Sequence, residues 1–162
     1  GSLSKVLSPG LRIGWLIAPP ELLAKAVMCK QFSDAHTSTF AQATAAQYLK
    51  AGRMPATLAR VRAVYADRAQ AMCDALRKDL GDAVEFVQPQ GGLFVWVRLT
   101  GAGGKVADGN VLAKRAIEKG VAFVPGTPFF CANPDHATLR LSFATADEAK
   151  IREGVARLAQ AL

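Results

Sequence analysis

Near its start the sequence contains the stretch Ser2-Leu3-Ser4-Lys5-Val6-Leu7-Ser8-Pro9-Gly10-Leu11-Arg12-Ile13-Gly14, which combines one amine, three hydroxyls, a Pro-Gly turn and a guanidinium. Hydroxyls and a guanidinium donate hydrogen bonds to phosphate oxygens, and glycine lets the backbone approach a ligand closely. A lysine beside such a site can act as a nucleophile toward a carbonyl carbon of the same ligand. The composition is also that of a solvated loop with a surface lysine, so both interpretations stay open at this point.

The composition places the whole chain in a broad class. Its 162 residues are 51% hydrophobic and 20% charged, which permits a sizeable core and excludes wholesale disorder. No apolar run approaches the roughly 20 residues that span a bilayer. The first residues resemble neither a signal peptide nor an amphipathic presequence. We therefore expect a cytoplasmic protein.

The charge balance is basic, with 20 Lys and Arg against 13 Asp and Glu, or +7. This excess does not indicate nucleic acid, because many of the arginines lie on the polar side of one predicted helix without interleaved aromatics. The arginines in question are Arg53, Arg60, Arg62, Arg68 and Arg77. We expect no nucleic-acid and no membrane partner, and the charge is compatible with steering anionic small molecules.

The cysteines and histidines do not form a metal site in sequence. Cys29, Cys73 and Cys131 are far apart and contain no CxxC pair, which predicts free thiols rather than a disulfide framework or a zinc site. His36 and His136 lack the partners that a metal site or catalytic triad needs. We expect no metal.

The first half of the chain is predicted to be mostly helical after an apolar strand at 13–18. Helices are expected from Glu21 to about Ser33, from the hydroxyl caps at 37–39 to Gly52, and from the Pro55 region onward. The third helix has an apolar stripe that ends at Leu80. Its length of about 40 Å at 1.5 Å per residue would suit a bridge between two lobes.

The second half is predicted to mix strands and helices. Strands at 84–87 and 93–99 flank a turn-rich segment and suggest a hairpin, and further strands are expected at 121–124, buried, and at 138–143. Asp108 should cap one helix, and a capping box from Thr145 to Glu148 should open the last. The tryptophans and phenylalanines are expected in the core. A small sheet covered by helices would pack this half.

The spaced motif Ser2-x-Ser4-Lys5-x-x-x-Pro9-Gly10-Leu11-Arg12-x-Gly14 resembles the lysine segment of fold-type-I, pyridoxal-phosphate-dependent aminotransferases of class I/II. It is similar to the group of 2-aminoadipate and kynurenine aminotransferases. The resemblance implies that Lys5 is catalytic, holding pyridoxal 5'-phosphate as a Schiff base and then moving a proton. It also implies that Ser2 and Arg12 hold the cofactor phosphate and that Ser4 lies close by.

Later segments resemble the same family. The strand Leu139-Arg140-Leu141-Ser142-Phe143 is similar to the one whose arginine binds the substrate α-carboxylate, which implies this role for Arg140. Alternation with two leucines predicts that Arg140 points away from the core. The segment from Val121 to Phe129 resembles the strand and turn leading to the substrate pocket, and Gln90-Gly91-Gly92-Leu93-Phe94 resembles a loop that closes over the substrate. We expect that loop at most to form a pocket wall, because a glycine pair before a strand is often only a turn.

The fold that the resemblance implies is α/β with an α+β small domain, the C-terminal portion of the transferase fold. Residues 1–52 would be the tail of the large cofactor-binding domain, 53–80 a long interdomain helix, and 81–162 the small domain. The function implied is transamination between an α-amino acid and a 2-oxo acid, in a homodimer. The family's other cofactor contacts precede this lysine, so we expect an incomplete chain that is inactive alone.

Two alternatives remain open at the level of sequence. The same lysine motif resembles the aminotransferase-like effector domain of GntR/MocR-type transcription regulators, which carry an N-terminal winged helix. The chain could also be a folded fragment that binds no cofactor. The amino acid used as substrate cannot be read from these residues.

Overall fold

Five α-helices and four short β-strands form most of the regular structure of residues 1–162, all of which the computed structural model describes. The helices are α1 (Pro20–Ser33), α2 (Thr39–Lys50), α3 (Met54–Ala75), α4 (Gly109–Glu118) and α5 (Glu148–Ala159). The strands are β1 (Val84–Phe86), β2 (Phe94–Leu99), β3 (Val124–Pro125) and β4 (Thr138–Ser142). None of the helices combines the length and apolarity that a membrane crossing requires.

The chain divides into two compact units, Gly1–Val61 and Arg62–Leu162. The division falls within α3, the helix to which the sequence assigns an interdomain role. The first unit contains α1 and α2, close to their predicted bounds, and the Ser38 hydroxyl caps α2 by accepting the Ala41 N–H at 3.4 Å.

The first unit buries few apolar side chains. The strand expected at 13–18 is wrong: this segment contains only a single bridge from Gly14 to Ser2, and no neighbouring strand takes up its backbone groups beyond Trp15. The expectation of a tryptophan and phenylalanine core fails in this unit, where Ile17, Phe32 and Phe40 are each more than 80% exposed and Trp15 is half exposed.

The second unit is built on an antiparallel sheet in the order β1-β2-β4-β3. The predicted hairpin is confirmed, with Val84 opposite Leu99 and Phe86 opposite Val97. In β2 every second residue is buried, as expected for a strand with one face on a core.

One face of this sheet packs on α4, α5 and the end of α3. These elements contribute apolar side chains of at most 9% exposure to a continuous core, which is the predicted layer of helices on a sheet. Its members include Met72, Leu76, Val95, Val97, Leu112, Leu139, Leu141, Ile151, Val155 and Leu158. Phe143, 1% exposed, is the phenylalanine that meets the expectation of a core position, whereas Trp96 on the opposite face is 40% exposed.

Three boundaries of the second unit differ from expectation. The buried strand expected at 121–124 is instead the two-residue β3, with an exposed Val124 and with Pro125, which lacks the N–H that would extend pairing. The last helix is capped by Asp147, whose carboxylate accepts the Lys150 N–H at 2.8 Å, and not by Thr145. The apolar stripe that begins in α3 does end at Leu80, but α3 itself ends at Ala75 and residues Leu76–Leu80 form a π-helical turn.

Candidate active site

Lys5 lies on a tight turn whose two ends are tied together. The Leu3 N–H donates to the Ile13 carbonyl at 3.0 Å, and the Trp15 N–H donates to the Gly1 carbonyl at 2.9 Å. Within the loop the Leu3 carbonyl accepts the Leu7 N–H at 2.9 Å, and the buried Leu3 side chain anchors it. This arrangement leaves Lys5 exposed, and its Nζ forms no hydrogen bond or salt bridge.

The structure brings Ser2, Ser4 and Arg12 together on this loop. The Ser2 Oγ accepts the Ser4 N–H at 3.1 Å, while Arg12 Nη1 donates to the Ser4 Oγ at 3.4 Å and to the Pro9 carbonyl at 3.1 Å. Arg12 has a φ of +53°, a left-handed conformation that is uncommon for a residue other than glycine. Such local strain is often found where the backbone positions a functional group.

Arg12 also lines a cavity of about 470 Å³ beside the start of α2. Its wall includes His36, Thr37, Ser38 and Phe40, none of which the sequence assigned to a site. His36 Nδ1 lies 2.9 Å from the Thr37 carbonyl, so this histidine is tied to its own loop. The polar side chains of the cavity are a guanidinium, a carboxylate, an imidazole and two hydroxyls, next to a helix N-terminus; they belong to Arg12, Asp34, His36, Thr37 and Ser38.

Arg140 of β4 lies on the sheet face opposite the core, as its alternation with the buried Leu139 and Leu141 predicts. Its guanidinium carbon is 4.1 Å from the centroid of the Phe94 ring and 4.5 Å from that of Phe129. Its Nε is buried and has no hydrogen-bond partner. The side chain forms no salt bridge, so its charge is available for an anion.

The sequence assigned no site role to the individual aromatic residues around Arg140, although Phe94 and Phe129 each end a segment that resembles part of the family's substrate pocket. Trp96, directly opposite Arg140 across the strand pair, packs edge-to-face on Phe129 with the ring centroids 5.6 Å apart. The period-two alternation of β2 places Phe94 and Trp96 on one face, which is a signal that could have identified them. Phe129 lies in the turn after β3, so strand alternation does not identify it, and the sequence signal is the resemblance of segment 121–129 to the family's pocket strand and turn.

The predicted loop Gln90–Gly92 does form part of a cavity wall. The cavity measures about 690 Å³ and is also lined by Arg62, Tyr65, Gln88 and Phe143. Gln88 anchors the loop to neighbouring polar side chains, because its amide donates to Gln70 at 2.8 Å and accepts from Arg77 at 2.9 Å.

The cysteines are free thiols, as expected. Burial raises the pKa of the Cys73 thiol, which keeps it protonated and unreactive. No group of three or more His, Cys, Asp or Glu side chains is arranged to hold a metal ion.

Comparison with known proteins identifies the family. Residues 1–158 match the family model for aminotransferase class I and II, and the chain belongs to this family. It is 48% identical over 162 residues to the 2-aminoadipate transaminase of Thermus thermophilus, covering 100% of this chain and 40% of that protein. The resemblance inferred from the lysine motif, and with it the expected fold class, is thereby confirmed.

A solved structure and a regulator extend the comparison. The crystal structure of LysN, alpha-aminoadipate aminotransferase, also from Thermus thermophilus and complexed with N-(5'-phosphopyridoxyl)-L-leucine, superposes with a TM-score of 0.90 at 46% identity, covering 100% of this chain and 40% of that one. The HTH-type transcriptional regulator TauR of Rhodobacter capsulatus is 34% identical over 163 residues, covering 100% of this chain and 33% of the regulator. The chain thus spans about 40% of the length of the aminotransferases it matches.

Proposed function

We propose that this chain carries the lysine and two anion-binding arginines of a pyridoxal-phosphate-dependent transaminase, an enzyme that transfers an amino group between an α-amino acid and a 2-oxo acid. The observation that carries the proposal is the convergence of Ser2, Ser4 and Arg12 on the turn that presents Lys5. The similarity to 2-aminoadipate transaminase supports it.

The donor set on the Lys5 loop fits the phosphate of pyridoxal phosphate. The Arg12 guanidinium donates to the Ser4 hydroxyl, the Ser2 hydroxyl accepts the Ser4 N–H, and all three side chains have capacity for further hydrogen bonds. An Arg fork matches the geometry of phosphate oxygens. Ser2, Ser4 and Arg12 would therefore hold the phosphate, and the bound cofactor supplies an electron sink for the substrate α-carbon.

Lys5 has two roles in this proposal. Its Nζ would hold the cofactor covalently, and the amine set free when a substrate amine takes its place would move a proton between the substrate α-carbon and the cofactor carbon C4′. Both roles need an amine that no other group engages. The lack of a hydrogen bond or salt bridge at Lys5 Nζ meets that requirement.

Arg140 binds the substrate α-carboxylate in this proposal. Phe94 and Phe129 cover the guanidinium, so binding takes place along its N–H edge, where two parallel hydrogen bonds reach a carboxylate. Water is excluded from the ring-covered faces, which strengthens the attraction to the anion. An amino acid bound there is held by its carboxylate, while its amine is left free.

The remaining assignments are part of the same proposal. Residues 1–52 belong to the large domain, 53–80 to the interdomain helix and 81–162 to the small domain of a cytoplasmic homodimer. Similarity to TauR favours a second candidate, an effector domain that binds the same cofactor without turnover. Amino-group transfer separates the two candidates.

The test uses the complete protein encoded by the gene, mixed with pyridoxal phosphate. We expect a visible absorption band of protein-bound cofactor that changes when L-2-aminoadipate is added, and transfer of the amino group to a 2-oxo acid. The variant K5A should lose both signals, whereas K25A, which alters an exposed lysine of α1, should retain them. A band without transfer would favour the effector domain, and a band that survives K5A would refute the assignment of Lys5.

A further inference from the structure

We infer that Arg68 of α3 is a positioning residue that holds the end of β4 and thereby sets the affinity of Arg140 for a carboxylate, an inference that rests on the proposed function. Arg68 Nη1 donates a hydrogen bond of 2.7 Å to the carbonyl of Ala144. Ala144 follows the strand that carries Arg140, so this bond joins α3 to the end of β4.

A second contact from α3 fixes Phe143, the residue before Ala144. The ring of Tyr65, one helical turn before Arg68, packs edge-on against Phe143 with the centroids 6.2 Å apart. Residues three apart on a helix lie on the same face, so Tyr65 and Arg68 act on adjacent residues of one segment. Phe143 is 1% exposed, and its N–H donates to the Leu93 carbonyl at 3.1 Å. Residues 143 and 144 are therefore held both by α3 and by the start of β2.

The strand register carries this restraint to Arg140. Ser142 pairs with Phe94, and Arg140 pairs with Trp96. Phe94 is the residue whose ring lies 4.1 Å from the Arg140 guanidinium. Residues 143 and 144 follow directly after the last strand pair. The contacts that fix them therefore also keep Phe94 in register with the Arg140 guanidinium, which the Phe94 ring covers.

The environment of Arg68 argues against a role in stability alone. Its Nε is buried without a hydrogen-bond partner, and the side chain makes no salt bridge. An arginine with an unsatisfied buried N–H is a costly way to fill space, and apolar replacements of buried charged groups are often neutral or stabilising. What an apolar side chain could not supply is the directional bond to the Ala144 carbonyl.

The test measures binding of 4-methylpentanoate, a carboxylate that lacks the amino group and cannot react, to the complete cofactor-loaded protein by calorimetry. The Arg68 bond is to the protein and not to the ligand, so only part of its free energy reaches the affinity. We expect R68M to bind 4-methylpentanoate about three- to tenfold more weakly, with an unchanged melting temperature and an unchanged cofactor spectrum. R68K should recover part of the affinity, because its Nζ can donate to the same carbonyl. K78M, which removes an exposed charge from the turn after α3, should bind normally.

The R140M variant separates the possible failures. If R140M loses affinity but R68M does not, the positioning role is wrong and the assignment of Arg140 stands. If neither variant loses affinity, the assignment of Arg140 fails and the positioning role fails with it. A parallel fall of melting temperature and affinity in R68M, without recovery in R68K, would also overturn the inference. If R68M does not fold, Y65L tests the contact of α3 with Phe143 instead. We expect Y65L to bind 4-methylpentanoate more weakly, and unchanged binding would contradict the inference.

Discussion

Arg140 and Phe94 form a stacked pair across two strands, with the guanidinium carbon 4.1 Å above the centroid of the ring. The register that places Ser142 opposite Phe94 brings the two side chains together on the face opposite the core. Phe129 covers the guanidinium as well, at 4.5 Å. The stack restricts the arginine to one orientation, and so prepares its N–H edge for a planar anion.

Removing either ring should weaken carboxylate binding. A cation–π contact contributes about 1 kcal/mol, so F94L and F129L should each bind a substrate carboxylate about fivefold more weakly. The measurement is calorimetric titration of the cofactor-loaded protein with 4-methylpentanoate. F32L is a matched control, because Phe32 is 87% exposed on α1 and is not part of the stack. Equal affinities in all of these variants would contradict the role of the stack.

Arg12 should determine the affinity for the cofactor. Hydrogen bonds to charged groups contribute about 1.5–3 kcal/mol, so R12M should bind pyridoxal phosphate roughly 10- to 100-fold more weakly. R12K should be intermediate, since lysine retains the charge but loses the fork. Titration of the visible absorption band gives the dissociation constants, with K25M as the control for lost charge. A dissociation constant unchanged in R12M would show that the phosphate lies elsewhere.

Asp108 should stabilise the start of α4 in a pH-dependent way. Its carboxylate accepts the N–H groups of Asn110 at 2.7 Å and Val111 at 3.2 Å. The Val111 and then the Asn110 N–H lower the pKa of Asp108 below its ordinary 3.8. The stabilisation is therefore fully present above that ordinary value and is lost as the pH falls through the lower pKa of the folded state.

The D108A variant should thus lose about 1 kcal/mol of unfolding free energy at neutral pH, and the loss should shrink as the pH falls below the ordinary carboxyl pKa of 3.8. D108N is the matched control, because an asparagine cap accepts the same bonds without titrating. Urea unfolding monitored by hydrogen exchange at the α4 amides would report on this helix directly. A loss in D108A that stays constant with pH would contradict the assignment.

Much of this fold follows from local signals. The apolar stripes of α3 and α5, the Asp108 cap and the alternation in β2 all act within a few residues, and each was predictable from the sequence. The cap at Asp147 was missed, because Thr145 and Asp147 are both good cap residues and only the backbone decides between them. The length of β3 was missed because pairing depends on a distant strand and on Pro125.

The candidate site likewise has one part that the local sequence predicts and one part that it does not. The Lys5 loop is a local motif, so its hydroxyls and guanidinium could be named from spacing. The enclosure of Arg140 depends on the register of two strands and on a turn after a third, which no single segment encodes. Trp15 and Phe40 were expected in the core but are exposed. Hydrophobicity alone predicts that such side chains are buried, but it does not say which other residues they pack against.

The most direct test of the account is chemical labelling of Lys5. The complete protein is incubated with pyridoxal phosphate, reduced with borohydride and digested, and the modified peptide is located by mass spectrometry. We expect one stoichiometric phosphopyridoxyl group, on Lys5, which is lost in K5A. Labelling spread over exposed lysines such as Lys25 and Lys78, or unchanged in K5A, would contradict it.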